Sequence, residues 1–301
     1  MFNTIHEQEE LVAKKLAKKR ISPDGKLALY KYSRKVMFDQ IWNDRTMECR
    51  GHVYDINTGA IVQAAPSKCF NYLENGWWKD APLDTVVRVE KKYNGFLANA
   101  TIHEGELLVT TTGSFDSDFQ KLAKQMIEKH LSENGNVGLV DGKFTTSFEI
   151  CHPSDPHIVS EKEGVYLLCY RYKDNGQIIP RVTDMHLYMT LQEILDRVKL
   201  FDNIEGVMLS GYNGELCKLK SPIYVAKKKL MRMGAFAIEK MYANRQIVKN
   251  QIDNQFWCLV DFVVDTINID QWLDLTDQDR RAIIDLYLHN KGYGIENMVH
   301  E

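Results

Sequence analysis

The sequence predicts an α+β chain: a helical amino-terminal segment, a mainly β core and a helical tail. Two patterns carry this. Period-two alternation of apolar and polar residues, broken by Gly and Asn turns, recurs over 52–63, 84–113, 144–151, 164–182 and 204–225. Successive side chains of a strand face opposite ways, so such alternation marks half-buried strands. Helical spacing fits Ser117 to Leu131 and Leu191 to Val198, and it dominates from Ala226 onward. The 301 residues contain no internal repeat or low-complexity linker, so the tail is expected to pack on the core.

Along the chain, Lys14, Lys15, Lys18, Lys19 and Arg20 fall in a segment that reads as helix. The run from Asp84 to Lys92, rich in β-branched residues, reads as a strand ending in Lys92-Tyr93-Asn94-Gly95, and Phe96 to His103 reads as the next one. Asn-Gly between two strands is a hairpin signal, because both residues tolerate positive φ. Gly206 to Ser210, the turn at Gly211 to Gly214, and Glu215 to Lys220 read as strand, turn and strand. Trp257, Leu259, Val260, Phe262 and Val263 belong in a helix-packed core, and Thr276 with Asp277 would cap a last helix ending near Gly292. Trp77-Trp78 could stack nucleic-acid bases, although paired tryptophans more often pack.

Composition excludes some classes. No apolar run approaches the roughly 20 residues that span a bilayer, and the polar, acidic segment from Met1 to Glu10 lacks the apolar stretch of a signal peptide. Cysteines 49, 69, 151, 169, 217 and 258 show no zinc spacing; they read as reduced core thiols of a cytoplasmic protein. The net charge of −3 is low for a protein that meets nucleic acid, but its distribution is uneven. Lys227, Lys228, Lys229 and Arg232 cluster, whereas acids collect after Asp253. Such a basic run is either a solvated helix face or a phosphate contact.

Chemistry concentrates in three places. A lysine at a strand end beside a tight turn is held rigidly, so the amine of Lys92 could be aimed at a bound phosphorus. It attacks only as the neutral amine, which nearby cations or desolvation favour; Lys91, Lys218 and Lys220 could supply the cations. Lys218 and Lys220 fall on one face of their strand, with Cys217 and Leu219 on the other. Glu205, at the start of the same unit, adds a carboxylate. Two ammonium groups suit a triphosphate, and a carboxylate suits its magnesium; a solvated lysine face is the plainer reading.

The set Lys92-Tyr-Asn-Gly95, Ser147-Phe-Glu149-Ile, Glu205-Gly206-Val-Met and Lys218-Leu-Lys220 resembles motifs I, III, IV and V of the lysine nucleotidyltransferases, the nucleic-acid ligases and capping enzymes. Within that group it most resembles the T4 RNA ligase 1 family. Cys49-Arg50-Gly51-His-Val-Tyr-Asp55 is similar to that family's arginine–glycine element, Lys68-Cys-Phe70-Asn71 to its lysine–phenylalanine–asparagine element, and Pro222-Ile-Tyr224-Val225 to the aromatic segment after motif V. The resemblance spans about residues 45 to 230.

It implies a nucleotidyltransferase (ATP-grasp-like ligase) core of antiparallel sheets flanked by helices over 1–230, the adenylyltransferase domain, with a small helical carboxy-terminal domain over 231–301. By the same resemblance Lys92 would take AMP from ATP. Arg50 and Lys68 would contact phosphates, Phe70 would pack near the nucleotide, and the backbone near Glu90 would face the adenine. Lys91 and Gly95 would complete the ATP site, Glu149 would sit by the ribose or a metal, Glu205 would hold Mg2+ or Mn2+, and Lys218 with Lys220 would neutralise the α-phosphate. The activity implied is ATP-dependent joining of RNA 5′-phosphate and 3′-hydroxyl ends, in RNA or tRNA repair of the kind often carried by phage. The enzyme is expected to be a monomer in the cytoplasm, the host's if phage-encoded, acting on RNA such as nicked tRNA and not on membranes.

Three positions depart from the family pattern. Thr112 precedes Gly113-Ser114 where a lysine is usual, Asn94 stands where aspartate is usual, and His157 of Asp155-Pro-His157 where arginine is common. A DNA ligase and a capping guanylyltransferase share the lysine chemistry but normally carry an oligonucleotide-binding barrel where this tail reads helical. A non-catalytic RNA-binding protein with a relic nucleotide site is the other alternative.

Overall fold

Period-two sequence becomes three sheets in the computed structural model, which describes residues 2–135, 142–155, 157–180 and 186–293. Pro156, positions 181–182 of the strand expected over 164–182, and 294–301 of the expected tail domain lie outside the described residues. By their contacts the residues divide into two compact units, and the chain crosses from one to the other several times.

The first unit comprises 1–69, 95–153 and 162–184. It opens with α1 (Ile5–Ala13), whose Thr4 cap forms a capping box with Glu7. The helix expected to hold Lys14 to Arg20 ends there. Lys15 takes φ +58, and Lys18 to Arg20 enter strand β1 (Ala17–Ile21), which pairs with β2 (Leu27–Tyr32). Four of the five β1 residues are exposed, so the strand carries almost no apolar alternation to reveal it. β3 (Arg50–Asp55) and β4 (Ile61–Gln63) complete an antiparallel sheet in the order β1-β2-β3-β4. Short helices α2 (Arg34–Phe38) and α3 (Asp44–Glu48) intervene.

A second antiparallel sheet of this unit joins β7 (Phe96–His103), β8 (Glu106–Thr111), β9 (Phe144–Cys151), β10 (Gly164–Tyr172) and β11 (Ile178–Pro180) in the order β11-β10-β9-β7-β8. Helix α4 (Asp118–Asn134) buries Ala123 and Ile127 against Ala98, Ala100, Val109, Phe148 and Ile150 of this sheet. Leu27, Leu29, Val53 and Val62 of the first sheet form a further core with Phe115.

The second unit comprises 70–94, 154–161 and 185–301. Its sheet runs β12 (Leu187–Thr190), β6 (Val86–Lys91), β13 (Gly206–Tyr212), β14 (Glu215–Lys220) and β5 (Phe70–Asn71). All pairings are antiparallel except the two-residue β5, which lies parallel to β14. The hairpin expected at Asn94-Gly95 does not form, because β6 and β7 belong to different sheets and neither residue takes a positive φ. The hairpin expected between β13 and β14 does form, with positive φ at Asn213 and Gly214. One sheet face, Val87, Val89, Val207, Leu209, Cys217 and Leu219, buries against α5 (Leu191–Arg197) and Trp78. Trp77 packs on the same core and donates its Nε1–H to Leu216 O at 2.9 Å, so the two tryptophans are packing residues.

From α6 (Pro222–Met231) the chain is helical: α7 (Ala235–Ala243), α8 (Gln246–Lys249), α9 (Trp257–Thr266), α10 (Ile269–Asp274) and α11 (Asp277–Asn290), the last capped by Thr276. Leu259, Val260, Val263, Trp272, Ile284 and Leu288 pack with Ile223, Tyr224 and Leu230 of α6 and with Ile158 and Val159, so the tail shares one core with the segment after the lysine pair. Arg280 is buried there and donates to the carbonyls of Trp272, Met231 and Met233. No helix among the described residues is long and apolar enough to cross a membrane. Cys49, Cys151, Cys169 and Cys217 are buried free thiols and Cys69 is half-buried; Cys258, on α9, is exposed rather than in the core.

Candidate active site

Three strands of the second unit end together. In the β6–β13–β14 register Met208 stands opposite both Glu90 and Lys218, and Gly206 opposite Lys220. The backbone N–H of Lys92, one residue beyond β6, donates to Gly206 O at 3.0 Å. The pleat therefore puts Glu90, Lys92, Lys218 and Lys220 on the face opposite the apolar core, and Glu205 enters beside them.

Glu205 is 4% exposed and uses both its oxygens. Its Oε2 lies 2.7 Å from the Lys92 amine, and its Oε1 lies 2.9 Å from the Lys220 amine. Burial pushes this carboxyl up, but the Lys92 and Lys220 charges outweigh it and hold it below the usual carboxylate range. Glycine is required next to it. Gly206 takes φ +144, and a Cβ there would lie 2.1 Å from Leu219 O, which lets β13 start hard against β14 and fixes Glu205 over the lysines.

More cations follow directly from β14. The Ser221 side chain caps α6 by accepting from Tyr224 N–H, and Ser221 N–H donates to Glu205 O at 3.0 Å. The Tyr224 ring is thereby set beneath two amines, Lys220 at 5.2 Å and Lys228 at 5.6 Å from its centroid. Burial first, then the neighbouring Lys220 charge, holds Lys228 below the ordinary lysine value. Lys228 therefore belongs to the site, whereas Lys227 is tied to Asp285 at 2.7 Å. A run of three lysines did not indicate which one turns inward; the tyrosine four residues before Lys228, on the same helix face, is the signal that could have.

The competing lysine is placed elsewhere. Lys91 stands opposite Val207 on the core side of the pleat, and its amine pairs with Glu161 at 2.6 Å. Asn94 is buried, donating its Nδ2–H to Val159 O at 3.2 Å and accepting from Tyr224 Oη at 3.4 Å. Glu90 accepts from Arg88 at 2.6 Å. Phe70 is buried opposite Cys217, 5.3 Å from the Trp77 ring, so it shares the apolar side rather than the lysine face. His157 stands 3.5 Å from Asp155, and burial lowers its pKa despite that carboxylate.

The remaining candidates belong to the first unit. Arg50 begins β3 and donates to Pro66 O at 3.2 Å. Lys68 donates to Cys69 O and lies 5.2 Å over the Trp42 ring. Glu48 ties this stretch down: it accepts from Ser67 Oγ, pairs with Arg171 at 3.0 Å, and meets His52 Nε2 at 3.0 Å. Glu149, on β9, accepts from Gly95 N–H at 3.1 Å. Gly95 is needed for close approach rather than for a turn, since a Cβ there would lie 2.3 Å from Ile150 O.

Among the described residues no group of three or more His, Cys, Asp or Glu side chains could form a metal cage. Magnesium, however, takes one or two carboxylates together with substrate phosphates, and Glu205 among ammonium groups fits that sparse donor set.

No family model matches the chain. Solved structures share its fold. A protein assigned as an ATP-dependent DNA ligase from Aquifex aeolicus superposes with a TM-score of 0.55 at 12% identity, covering 96% of this chain and 80% of that one. Two forms of an archaeal ATP-dependent RNA ligase superpose at 0.53 and 13% identity; they cover 95% and 94% of this chain and 77% of theirs. At such identities what is shared is the fold, and the chain has the α+β nucleotidyltransferase fold of ATP-dependent ligases.

Proposed function

We propose that the protein is an ATP-dependent RNA ligase of the T4 RNA ligase 1 type, working through a lysyl-AMP intermediate. The observation that carries this reading is the pairing of Lys92 and Lys220 with the two oxygens of one buried glutamate at a single sheet end. A merely solvated lysine face would point its amines into water.

Lys92 Nζ attacks the α-phosphorus of ATP. The new N–P bond forms as the bond to the bridging α–β oxygen breaks, pyrophosphate leaves with that electron pair, and the amine's proton goes to solvent. AMP then passes to an RNA 5′-phosphate, and a 3′-hydroxyl displaces it to seal the strand. Glu205 pairs with Lys92 in the free protein, so the amine becomes a nucleophile once that carboxylate is drawn away. Magnesium or manganese, when bound, would be held by Glu205 and would screen phosphate charge. Lys218, Lys220 and Lys228 carry the charge that develops on the α-phosphate. Arg50, Lys68 and Glu149 are assigned to the ATP site by the resemblance, Arg50 and Lys68 on phosphates and Glu149 by the ribose or a metal. Residues 1–230 form the adenylyltransferase part, and 231–301 is where RNA choice is placed.

The test is incubation with α-labelled ATP or GTP and magnesium, then mapping of the labelled peptide in wild type, Lys92→Ala and Lys91→Ala. Label from ATP on Lys92 that survives Lys91→Ala is expected. Label that persists in Lys92→Ala sinks the assignment, and label from GTP alone points to capping chemistry. Sealing of nicked RNA compared with nicked DNA then decides the substrate.

A further inference from the structure

The ladder between β6 and β13 ends at the lysine assigned as nucleophile: β6 stops at Lys91, and Lys92 N–H makes the last bond, to Gly206 O. A side chain takes over from there. Glu161 Oε2 lies 2.6 Å from the Lys91 amine, and Oε1 of the same carboxylate accepts from Asn94 N–H at 3.3 Å. One carboxylate therefore grips the chain one residue before Lys92 and two residues after it. The Lys91 amine also lies 5.4 Å over the centre of the Tyr93 ring, which ties down the residue between.

The Glu161 side chain is only 2% exposed, although 157–161 has no helix or strand of its own. The tail holds this segment in place. Ile158 and Val159 are buried in the core shared with α6, α9 and α11, and Arg281 of α11 donates to His157 O and to Ser160 Oγ, both at 3.0 Å. All of these residues belong to the second unit. Lys91 and Lys92 alternate across the pleat, so Glu161 grips from the side away from the Lys92 amine. It touches no group that would meet ATP. A charge-assisted clamp of this kind fixes where the neighbouring amine stands, and a displacement of about 1 Å at a reacting atom can cost on the order of 100-fold in rate.

We propose that Glu161 is a positioning residue for Lys92, and that Arg281 suspends it from the tail; calling Lys92 the group positioned rests on the adenylylation reading above. The helical tail thereby contributes to the first chemical step through the single segment 157–161, besides any part it has in choosing RNA.

Single-turnover labelling over a range of ATP concentrations, with hydrogen exchange of the peptide covering 91–95, tests this in wild type, Glu161→Ala, Glu161→Gln and Arg281→Gln. Glu161→Ala is expected to lower the maximal labelling rate by about 10- to 100-fold, to leave the half-saturating ATP concentration within about threefold, and to speed exchange over 91–95. Glu161→Gln keeps an oxygen for Asn94 N–H and should retain more of the rate. Arg281→Gln should change rate and exchange in the same direction as Glu161→Ala. A wild-type maximal rate in Glu161→Ala overturns the proposal, as does a loss that appears in the half-saturating ATP concentration instead, which would make Glu161 a nucleotide contact. Equal loss in Glu161→Ala and Glu161→Gln overturns the two-point clamp, and wild-type rate and exchange in Arg281→Gln overturn the suspension from α11. Faster exchange over 91–95 in Glu161→Ala, in a protein that takes no label from ATP even as wild type, keeps the clamp and removes the adenylylation reading, so the two fail separately.

Discussion

The Lys92 amine stands 2.7 Å from Oε2 of Glu205, a residue 113 positions later in the chain. The pairing of β6 with β13 creates that relationship, and it makes Glu205 the counter-charge of the proposed nucleophile. Glu205→Gln leaves Lys92 and Lys220 side by side with no carboxylate between them. Urea denaturation is expected to show a loss of about 1–3 kcal/mol, below the full cost of breaking a buried pair because the Lys92 and Lys220 side chains are only partly buried. Labelling by ATP should disappear in the same variant. Full labelling would remove Glu205 from the chemistry.

Lys220→Ala and Lys218→Ala should each lower the rate of lysyl-AMP formation by about 10²–10³-fold, the usual effect of losing one preorganised donor to a developing charge. Single-turnover labelling measures this. The Lys220 variant should also lose stability, because it abandons one oxygen of Glu205.

Acid should act through Glu48. Burial would raise its pKa, but the His52 hydrogen bond and the Arg171 charge bring it down to about 2. The folded carboxyl thus holds its proton less tightly than the unfolded one. Its stabilisation is present above the ordinary carboxylate range and is lost as pH falls towards 2. The gap from 4.5 to about 2 corresponds to about 3 kcal/mol. Unfolding free energies at neutral pH and near pH 3 should differ less in Glu48→Gln than in wild type. An unchanged difference would place the acid sensitivity elsewhere.

What the sequence made legible was local. Alternation around Lys218 and Lys220, together with an Asn213-Gly214 turn whose residues both take positive φ, defines β13 and β14 without reference to the rest of the chain. Where long-range geometry decides, the reading fails. Asn94-Gly95 has the chemistry of a turn, yet its glycine is required by Ile150 O on a strand some 55 residues on in the chain. β1 hid because an exposed edge strand has no apolar face to display.

Gly206→Ala should be among the most damaging single changes. Its Cβ would meet Leu219 O at 2.1 Å and Lys220 Cα at 2.7 Å, both backbone atoms that cannot swing aside. Forcing β13 from β14 at a positive φ costs roughly 2–4 kcal/mol. It also displaces Glu205, so thermal unfolding and labelling should fall together. A variant with wild-type stability would mean that the strands part there without penalty.

Asn94→Asp installs the residue that the family resemblance leads one to expect, and it should weaken this protein. The Asn94 Nδ2–H group donates to Val159 O, and Oδ1 accepts from Tyr224 Oη, in a position 6% exposed. A carboxylate has no proton for the carbonyl, so two oxygens would face each other away from water. The expected loss is about 1–3 kcal/mol. The carboxylate still accepts from Tyr224 Oη, so the ring beneath Lys220 and Lys228 keeps its partner, and the labelling rate should change little while the protein stays folded. Denaturant midpoints and single-turnover labelling of the two proteins decide it. An Asn94→Asp protein as stable as wild type would show that Val159 finds another donor and that the amide is not what holds this turn.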